Sequence, residues 1–143
     1  MMNAAQATDR AKPSGALGTG LWIMQGILFV LYTGTGLWKL LTPIPKLATM
    51  IPWAGQVSPT FLYTIAVIDL LGGIGILVPS VTRIMPRVAV LAALGCVLLQ
   101  VCATVFHISR GEAPKTPFNF VFLLMALFVF WGRGWKAPIA ARS

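Results

Sequence analysis

Charged residues, and acidic ones above all, are scarce in this chain. Of its 143 residues only 10% are charged, and Asp and Glu together number 3. A soluble domain carries about a quarter charged residues, so this chain cannot cover the surface of a water-soluble globule. The net charge is +8, but no basic run interleaved with aromatic residues lies on a polar segment, which argues against nucleic acid as a partner.

Residues for metal and thiol chemistry are equally few. The chain has one histidine, His107, and two cysteines, Cys96 and Cys102, so haem ligation by two histidines of one chain is excluded. A catalytic metal site takes about three protein ligands, and the two cysteines are spaced so that they point to different faces of a helix. Catalytic and phosphate-binding motifs, and CxxC pairs, are missing too. We therefore expect no metal site and no disulfide.

Long apolar runs are what the chain does have. It is 57% hydrophobic with a mean hydropathy of +0.84, and a helical membrane span needs about 20 apolar residues. Four such windows predict an all-α integral membrane four-helix bundle. Its domain runs over 21–133, with spans at about 21–41, 60–78, 88–108 and 117–131. Residues 1–20 are predicted to be a disordered N-terminal tail and 134–143 a C-terminal tail.

Prolines and basic residues organise the connections. The proline-rich stretch 42–59 predicts a short amphipathic piece lying on the membrane, with Trp53 at the headgroup level. Lys and Arg number 7 on one side of the predicted bundle (Arg10, Lys12, Arg83, Arg87, Arg133, Lys136 and Arg142). The other side has 3, or 4 with Lys39 (Lys46, Arg110 and Lys115). This asymmetry predicts that both termini are cytoplasmic.

Asp69 is the clearest polar exception within a span. It lies about nine residues into the second window, or roughly 13 Å deep at 1.5 Å per residue. An ionisable group at membrane depth is a functional-site hypothesis by default. The alternative is a buried acid that only fixes helix packing, which the small neighbours Ala66, Gly72 and Gly73 favour because they permit close helix approach.

Two further spans carry polar residues at regular spacing. Residues three, four and seven apart share a helix face, so these side chains form a polar stripe along each helix. Gln25, Tyr32 and Lys39 follow one another at seven-residue steps in the first span, and Gln100 and His107 do so in the third. An alternative stays open at each of two positions. The Lys39 side chain extends to the headgroups instead of facing the bundle interior, and His107 is a hydrogen-bonded structural residue instead of a ligand-binding one.

These stripes predict a polar shaft if both face inward. Asp69 and Gln100 are expected near the middle of the membrane, while Lys39, His107 and Asn119 are expected together nearer the outer surface. The candidate site consists of Tyr32, Lys39, Asp69, Gln100, His107 and Asn119. Such a shaft suits either a small polar-headed molecule or hydrogen bonds between protein groups only.

Three segments resemble the DoxX-like family of small four-helix bacterial membrane proteins. They are Gly36-Leu37-Trp38-Lys39-Leu40, Asp69-Leu70-Leu71-Gly72-Gly73, and Phe106-His107 followed by Arg110-Gly111-Glu112. The resemblance covers roughly 22–133 and implies a multi-pass protein of the bacterial inner membrane. It also implies that Lys39, Asp69 and His107 match recurrent polar positions, although relatives often carry Glu where this chain has Asp69.

The family is named for a subunit of a terminal quinol oxidase, and relatives are associated with membrane redox complexes. The resemblance thus favours an accessory or redox-associated subunit of a larger membrane complex, or a homo-oligomer, whose polar site binds a quinone or quinol. A phenylalanine-rich fourth span, with Phe120, Phe122, Phe128, Phe130 and Trp131 expected to face lipid, also favours packing against a partner. The alternatives are a membrane-embedded binder or enzyme acting through Asp69 and His107, and, less favoured, a small transporter.

Overall fold

The computed structural model describes residues 15–142, and over that range the chain is all-helical. The five helices are α1 (Gly15–Leu41), α2 (Ile44–Met50), α3 (Pro59–Thr82), α4 (Arg87–Ser109) and α5 (Thr116–Trp131). Short 3₁₀ turns occupy Pro52–Gly55 and Ala113–Lys115, and a π-helical turn, Gly132–Lys136, follows α5. Four segments are long and apolar enough to cross a membrane: α1, α3, α4 and Ala113–Lys136. The predicted membrane four-helix bundle is confirmed.

The first helix begins earlier than predicted. It starts at Gly15 instead of residue 21, so the tail predicted for 1–20 is wrong for residues 15–20, while 1–14 lie outside the described residues. Segment 15–20 carries no charge and continues the apolar helix. A Cβ on Gly20 would lie 3.7 Å from the Phe128 ring, so this first turn and a half packs on α5.

The second long helix, α3, continues through Pro79 to Thr82, although the span was predicted to end at about residue 78. Proline removes a single N–H, and in membrane helices neighbouring groups compensate for the loss. The carbonyl that loses its donor is that of Gly75, four residues before the proline. In the same turn the Gln25 side chain of α1 donates to the next carbonyl, that of Ile76, at 2.7 Å. The helix ends where Arg83 takes a positive φ of 58°, a left-handed cap.

The last span is longer than predicted. The π-helical turn extends α5, so the membrane-length segment Ala113–Lys136 has 24 residues and includes the first part of the predicted C-terminal tail. After Lys136 the chain crosses to the α3–α4 turn. There the Arg142 N–H donates to the Arg83 carbonyl at 2.9 Å, and Arg83 Nε donates to the Ala140 carbonyl at 2.9 Å.

Small residues set the spacing of α1 and α3. A Cβ on Gly36 would lie 2.7 Å from the Ala66 carbonyl oxygen, and one on Gly73 would lie 2.8 Å from the Thr33 nitrogen. The two backbones therefore touch, as the small residues around Asp69 led us to expect. A core of Leu28, Tyr32, Ile76, Ala93, Cys96, Ala126 and Val129 fills the space between the four long helices.

The proline-rich connection folds back onto the bundle. Leu47 of α2 and Ala54 of the 3₁₀ turn pack on Leu62 of α3 as a second apolar cluster, while Lys46 is exposed. A short helix thus lies in the predicted amphipathic piece, whose place on the membrane stays a prediction. Trp53 has a role the sequence did not indicate, because its ring packs edge-on against Phe106 of α4, with centroids 5.8 Å apart.

We call the end of the bundle with Leu41, Pro59 and Ser109 the cavity end. The opposite end, with Thr82, Arg87 and Trp131, is called the arginine end.

Candidate functional site

A cleft of about 320 Å³ opens among α1, α3, α4 and α5 towards the cavity end. All six candidate residues line it: Tyr32, Lys39, Asp69, Gln100, His107 and Asn119. Aromatic rings form much of the remaining wall, from Trp38, Trp53, Phe61, Phe106 and Phe122. The two polar stripes therefore face inward, and a third helix contributes Asp69 to the same space.

The deepest charges in the cleft form an ion pair. Lys39 Nζ donates to Asp69 Oδ2 at 2.5 Å, and the two side chains are only 12% and 6% exposed. Lys39 does not reach for the headgroups. Side chains on a helix lean towards its N-terminus, and α1 runs towards the cavity end, so the lysine stem points back into the bundle. The near contact of α1 and α3 at Gly36 brings the two groups within reach.

Two amide side chains beside the cleft have an unpaired polar atom. Gln100 Nε2 donates to the Tyr32 hydroxyl at 2.5 Å, but Gln100 Oε1 has no hydrogen-bond partner although it is buried. Asn119 Nδ2 is also buried without a partner. A buried polar atom without a partner costs about 1–3 kcal/mol. Both atoms are covered in this structure, so a ligand in the cleft would supply the missing hydrogen bonds once the amide groups turn towards it.

The mouth of the cleft carries a second charged cluster. His107 Nδ1 donates to Glu112 Oε2 at 2.8 Å, and Arg110 and Lys115 lie 3.6 Å and 3.5 Å from the same carboxylate. The hydrogen bond from His107 and, after it, the charges of Lys115 and Arg110 hold the pKa of Glu112 below its ordinary value. Glu112 was not among the predicted site residues, although it lies in one of the segments that carry the family resemblance. Its position five residues after the histidine was the available signal.

Lys39 and His107 were expected together nearer the outer surface. Both line the cleft, but they are bonded to different acids, Asp69 and Glu112, because the lysine leans into the bundle. Their depth in the membrane stays a prediction.

The cysteines of the described part of the chain are not joined in a disulfide. Both cysteines are free: Cys96 is buried and Cys102 is exposed, although Cys102 also borders the cleft. Within residues 15–142, no group of three or more His, Cys, Asp or Glu side chains comes together.

Fold and site together define a multi-pass membrane protein whose four-helix bundle encloses an ion pair at the bottom of an aromatic cleft. The profile of the DoxX-like family matches residues 23–129, and the chain belongs to this family. The resemblance noted in the sequence is confirmed. No curated protein matches the chain, and neither does any solved structure.

Proposed function

We propose that the cleft binds the head of a quinol-like amphiphile, and that the chain serves as an accessory or redox-associated subunit of a membrane complex. The observation that carries the proposal is the combination of an aromatic wall with two buried, unpaired amide atoms, Gln100 Oε1 and Asn119 Nδ2. A flat ring that bears oxygen atoms complements both features.

Size and polarity support a ring-sized head. Ligand pockets typically measure about 300–1,000 Å³, so a cleft of about 320 Å³ takes a small ring system. Aromatic rings prefer offset or edge-on contacts with one another, which Trp53 and Phe106 at the mouth can provide. A hydroxyl group both donates and accepts, so a quinol oxygen can pair with either atom of an amide.

The deepest charged pair favours binding over catalysis. Asp69 is bonded to Lys39, so its carboxylate is already paired with a cation in this structure. The hydrogen bond of His107 to Glu112 uses Nδ1 only, and a general base must also reach the proton that it removes. The Lys39–Asp69 pair supplies a fixed polar group at the bottom of the cleft.

The proposal of a partner subunit rests on α5. Phe120, Leu124 and Trp131 are 50%, 66% and 44% exposed and lie on one apolar face of the helix. The predicted lipid-facing set is partly wrong, because Phe122 borders the cleft and Phe130 packs on the core. Native mass spectrometry after mild detergent extraction tests the partner: a heteromeric species is expected, and a lone or homo-oligomeric chain would contradict it.

Intrinsic fluorescence tests the ligand. Trp38 and Trp53 border the cleft, and quinones quench tryptophan on contact. We expect saturable quenching of the purified protein by a short-chain quinone and by its reduced form. Gln100→Leu and Asn119→Leu together should weaken binding at least about 10-fold, since each lost hydrogen bond is worth about 1 kcal/mol.

The matched control is Thr104→Val. Thr104 lies one turn beyond Gln100 on α4 and bonds only the Gln100 carbonyl, at 2.8 Å. This variant should bind like the parent. Non-saturable quenching, or equal affinities for the double variant and the control, would contradict the proposal.

A further inference from the structure

Arg133 lies buried at the arginine end, outside the cleft, and is only 5% exposed. Its Nε donates to Gln25 Oε1 at 2.7 Å, and its Nη1 donates to the Ala137 carbonyl at 3.0 Å. The guanidinium carbon lies 4.7 Å from the centre of the Trp22 ring. The remaining nitrogen, Nη2, is buried without a hydrogen-bond partner.

The surroundings hold this guanidinium in a fixed place. Gln25 is completely buried, and its Nε2 donates to the Ile76 carbonyl at 2.7 Å and to Ser80 Oγ at 2.9 Å. Because Nε2 makes these two bonds, the other atom of the side-chain amide, Gln25 Oε1, faces Arg133. The site is therefore built from three elements: α1, α3 and the π-helical turn.

No carboxylate within residues 15–142 balances the charge of Arg133. The two acids of that range, Asp69 and Glu112, are paired at the cavity end. The arginine end instead carries further cations, Arg83, Arg87, Lys136 and Arg142. Burying a charge that has no counter-charge is strongly unfavourable, so Arg133 favours an anion beyond those that residues 15–142 supply.

We propose that Arg133 is the centre of a binding site for a phosphate-bearing anion. The guanidinium is a fork of N–H donors that suits phosphate. Nε and Nη1 are already bonded, so Nη2 is the donor that remains for the anion. Nη2 is covered in this structure, so binding requires the groups that cover it to move while Nε and Nη1 keep their hydrogen bonds. The exposed Lys136, three residues further on, supplies a second positive charge.

The position of the site makes a lipid headgroup the natural source of that phosphate. Trp22, Trp131 and Trp135 all lie at this end and are 40%, 44% and 64% exposed, and tryptophan gathers at the level of the headgroups. Basic clusters at this depth recognise anionic lipids. The site is separate from the cleft and does not depend on the function proposed for it.

Thermal unfolding of the full chain in a neutral detergent tests the site. We expect phosphatidylglycerol to raise the melting temperature in a saturable way, while phosphatidylcholine, which has no net charge, does not. Arg133→Gln should weaken the apparent affinity for phosphatidylglycerol at least 10-fold. Arg142→Gln is the matched control, because the structure uses the backbone N–H of that residue.

Two further measurements allow the experiment to decide even if Arg133→Gln does not fold. Arg133→Lys keeps the charge but loses the fork, and should still fold while binding more weakly than the parent, so it replaces Arg133→Gln if that variant does not fold. Inorganic phosphate added without lipid distinguishes the sources: stabilisation that depends on Arg133 supports a site for the free anion. Equal responses of the parent and both Arg133 variants to phosphatidylglycerol would overturn the proposal, as would equal stabilisation by phosphatidylcholine.

Discussion

Lys39 and Asp69 show how single residues acquire partners that the sequence does not name. Each is polar in an apolar run, and that contrast alone identified both. Their pairing depends on which helices are neighbours and on the inward lean of the lysine. The same holds for Gln25 and Arg133, which are bonded although 108 residues separate them. Polar residues in a membrane span can be found from sequence, whereas their partners require the fold.

Breaking the Lys39–Asp69 pair should have unequal consequences for its two members. Lys39→Met leaves a buried carboxylate without its cation, and should lower the free energy of unfolding by about 3–5 kcal/mol. Asp69→Asn should lower it less, because the long lysine can reach the headgroups once released. The double variant should be more stable than Lys39→Met.

A double-mutant cycle in detergent measures this coupling. The free energies of unfolding of the parent, both single variants and the double variant are compared. Simple additivity of the two single effects would contradict the expected coupling, because it would mean that the two side chains contribute to stability independently.

Glu112 should make the loop between α4 and α5 sensitive to acid. Its pKa is lower in the folded protein than its ordinary value, so its contribution to stability is complete above the ordinary glutamate pKa of about 4.3. That contribution is lost as the pH falls through the folded pKa. Limited proteolysis of the loop between Arg110 and Lys115, with a protease that is active in acid, should therefore accelerate below about pH 4.

The comparison variant for this measurement is Glu112→Gln, which has no carboxylate to titrate. It should be cleaved faster than the parent near neutral pH, and the difference should disappear in acid. A difference that persists unchanged at low pH would contradict the assigned role of the carboxylate.

At the scale of elements, the packing of α1 on α3 depends on Gly36. Its Cβ would lie 2.7 Å from the Ala66 carbonyl oxygen, so Gly36→Ala should force the helices apart and lower the free energy of unfolding by about 1–3 kcal/mol. Gly34→Ala in the same helix is the control, since nothing lies within 4 Å of its Cβ. The control should be neutral or slightly stabilising, by up to about 1 kcal/mol.

Thermal unfolding of the two glycine variants under identical conditions provides the comparison. Similar melting temperatures for Gly36→Ala and Gly34→Ala would mean that the contact of the two backbones does not limit stability.

The helices themselves followed from hydropathy, but not all of their ends did. The third-span prediction, 88–108, differs from α4 (Arg87–Ser109) by one residue at each end, because polar turns bound that window on both sides. The second-span prediction stopped at residue 78, just before Pro79, whereas α3 continues past it, because a membrane helix tolerates proline where neighbouring groups satisfy the backbone. The prediction for α1 began too late, at residue 21. The small uncharged residues from Gly15 to Gly20 resemble a flexible tail in sequence, and yet they continue the helix.

At the scale of the whole molecule, the distribution of charge gives an orientation. Both described carboxylates lie at the cavity end, and the described charges of the arginine end are cations only. We predict that the arginine end and both termini are cytoplasmic. Fusions of green fluorescent protein and of alkaline phosphatase to the C-terminus test this: fluorescence without phosphatase activity is expected, and the reverse would contradict the orientation.

The cleft is the feature on which the proposed function depends, and its content can be measured directly. The protein is purified in mild detergent from the membranes in which it is expressed, extracted with organic solvent, and analysed for quinones and quinols by mass spectrometry. We predict close to one quinone or quinol per chain for the parent and for Thr104→Val, and a large loss for the Gln100→Leu, Asn119→Leu double variant. Equal trace amounts of quinone and quinol in all three proteins would contradict the claim that this cleft binds a quinol-like molecule.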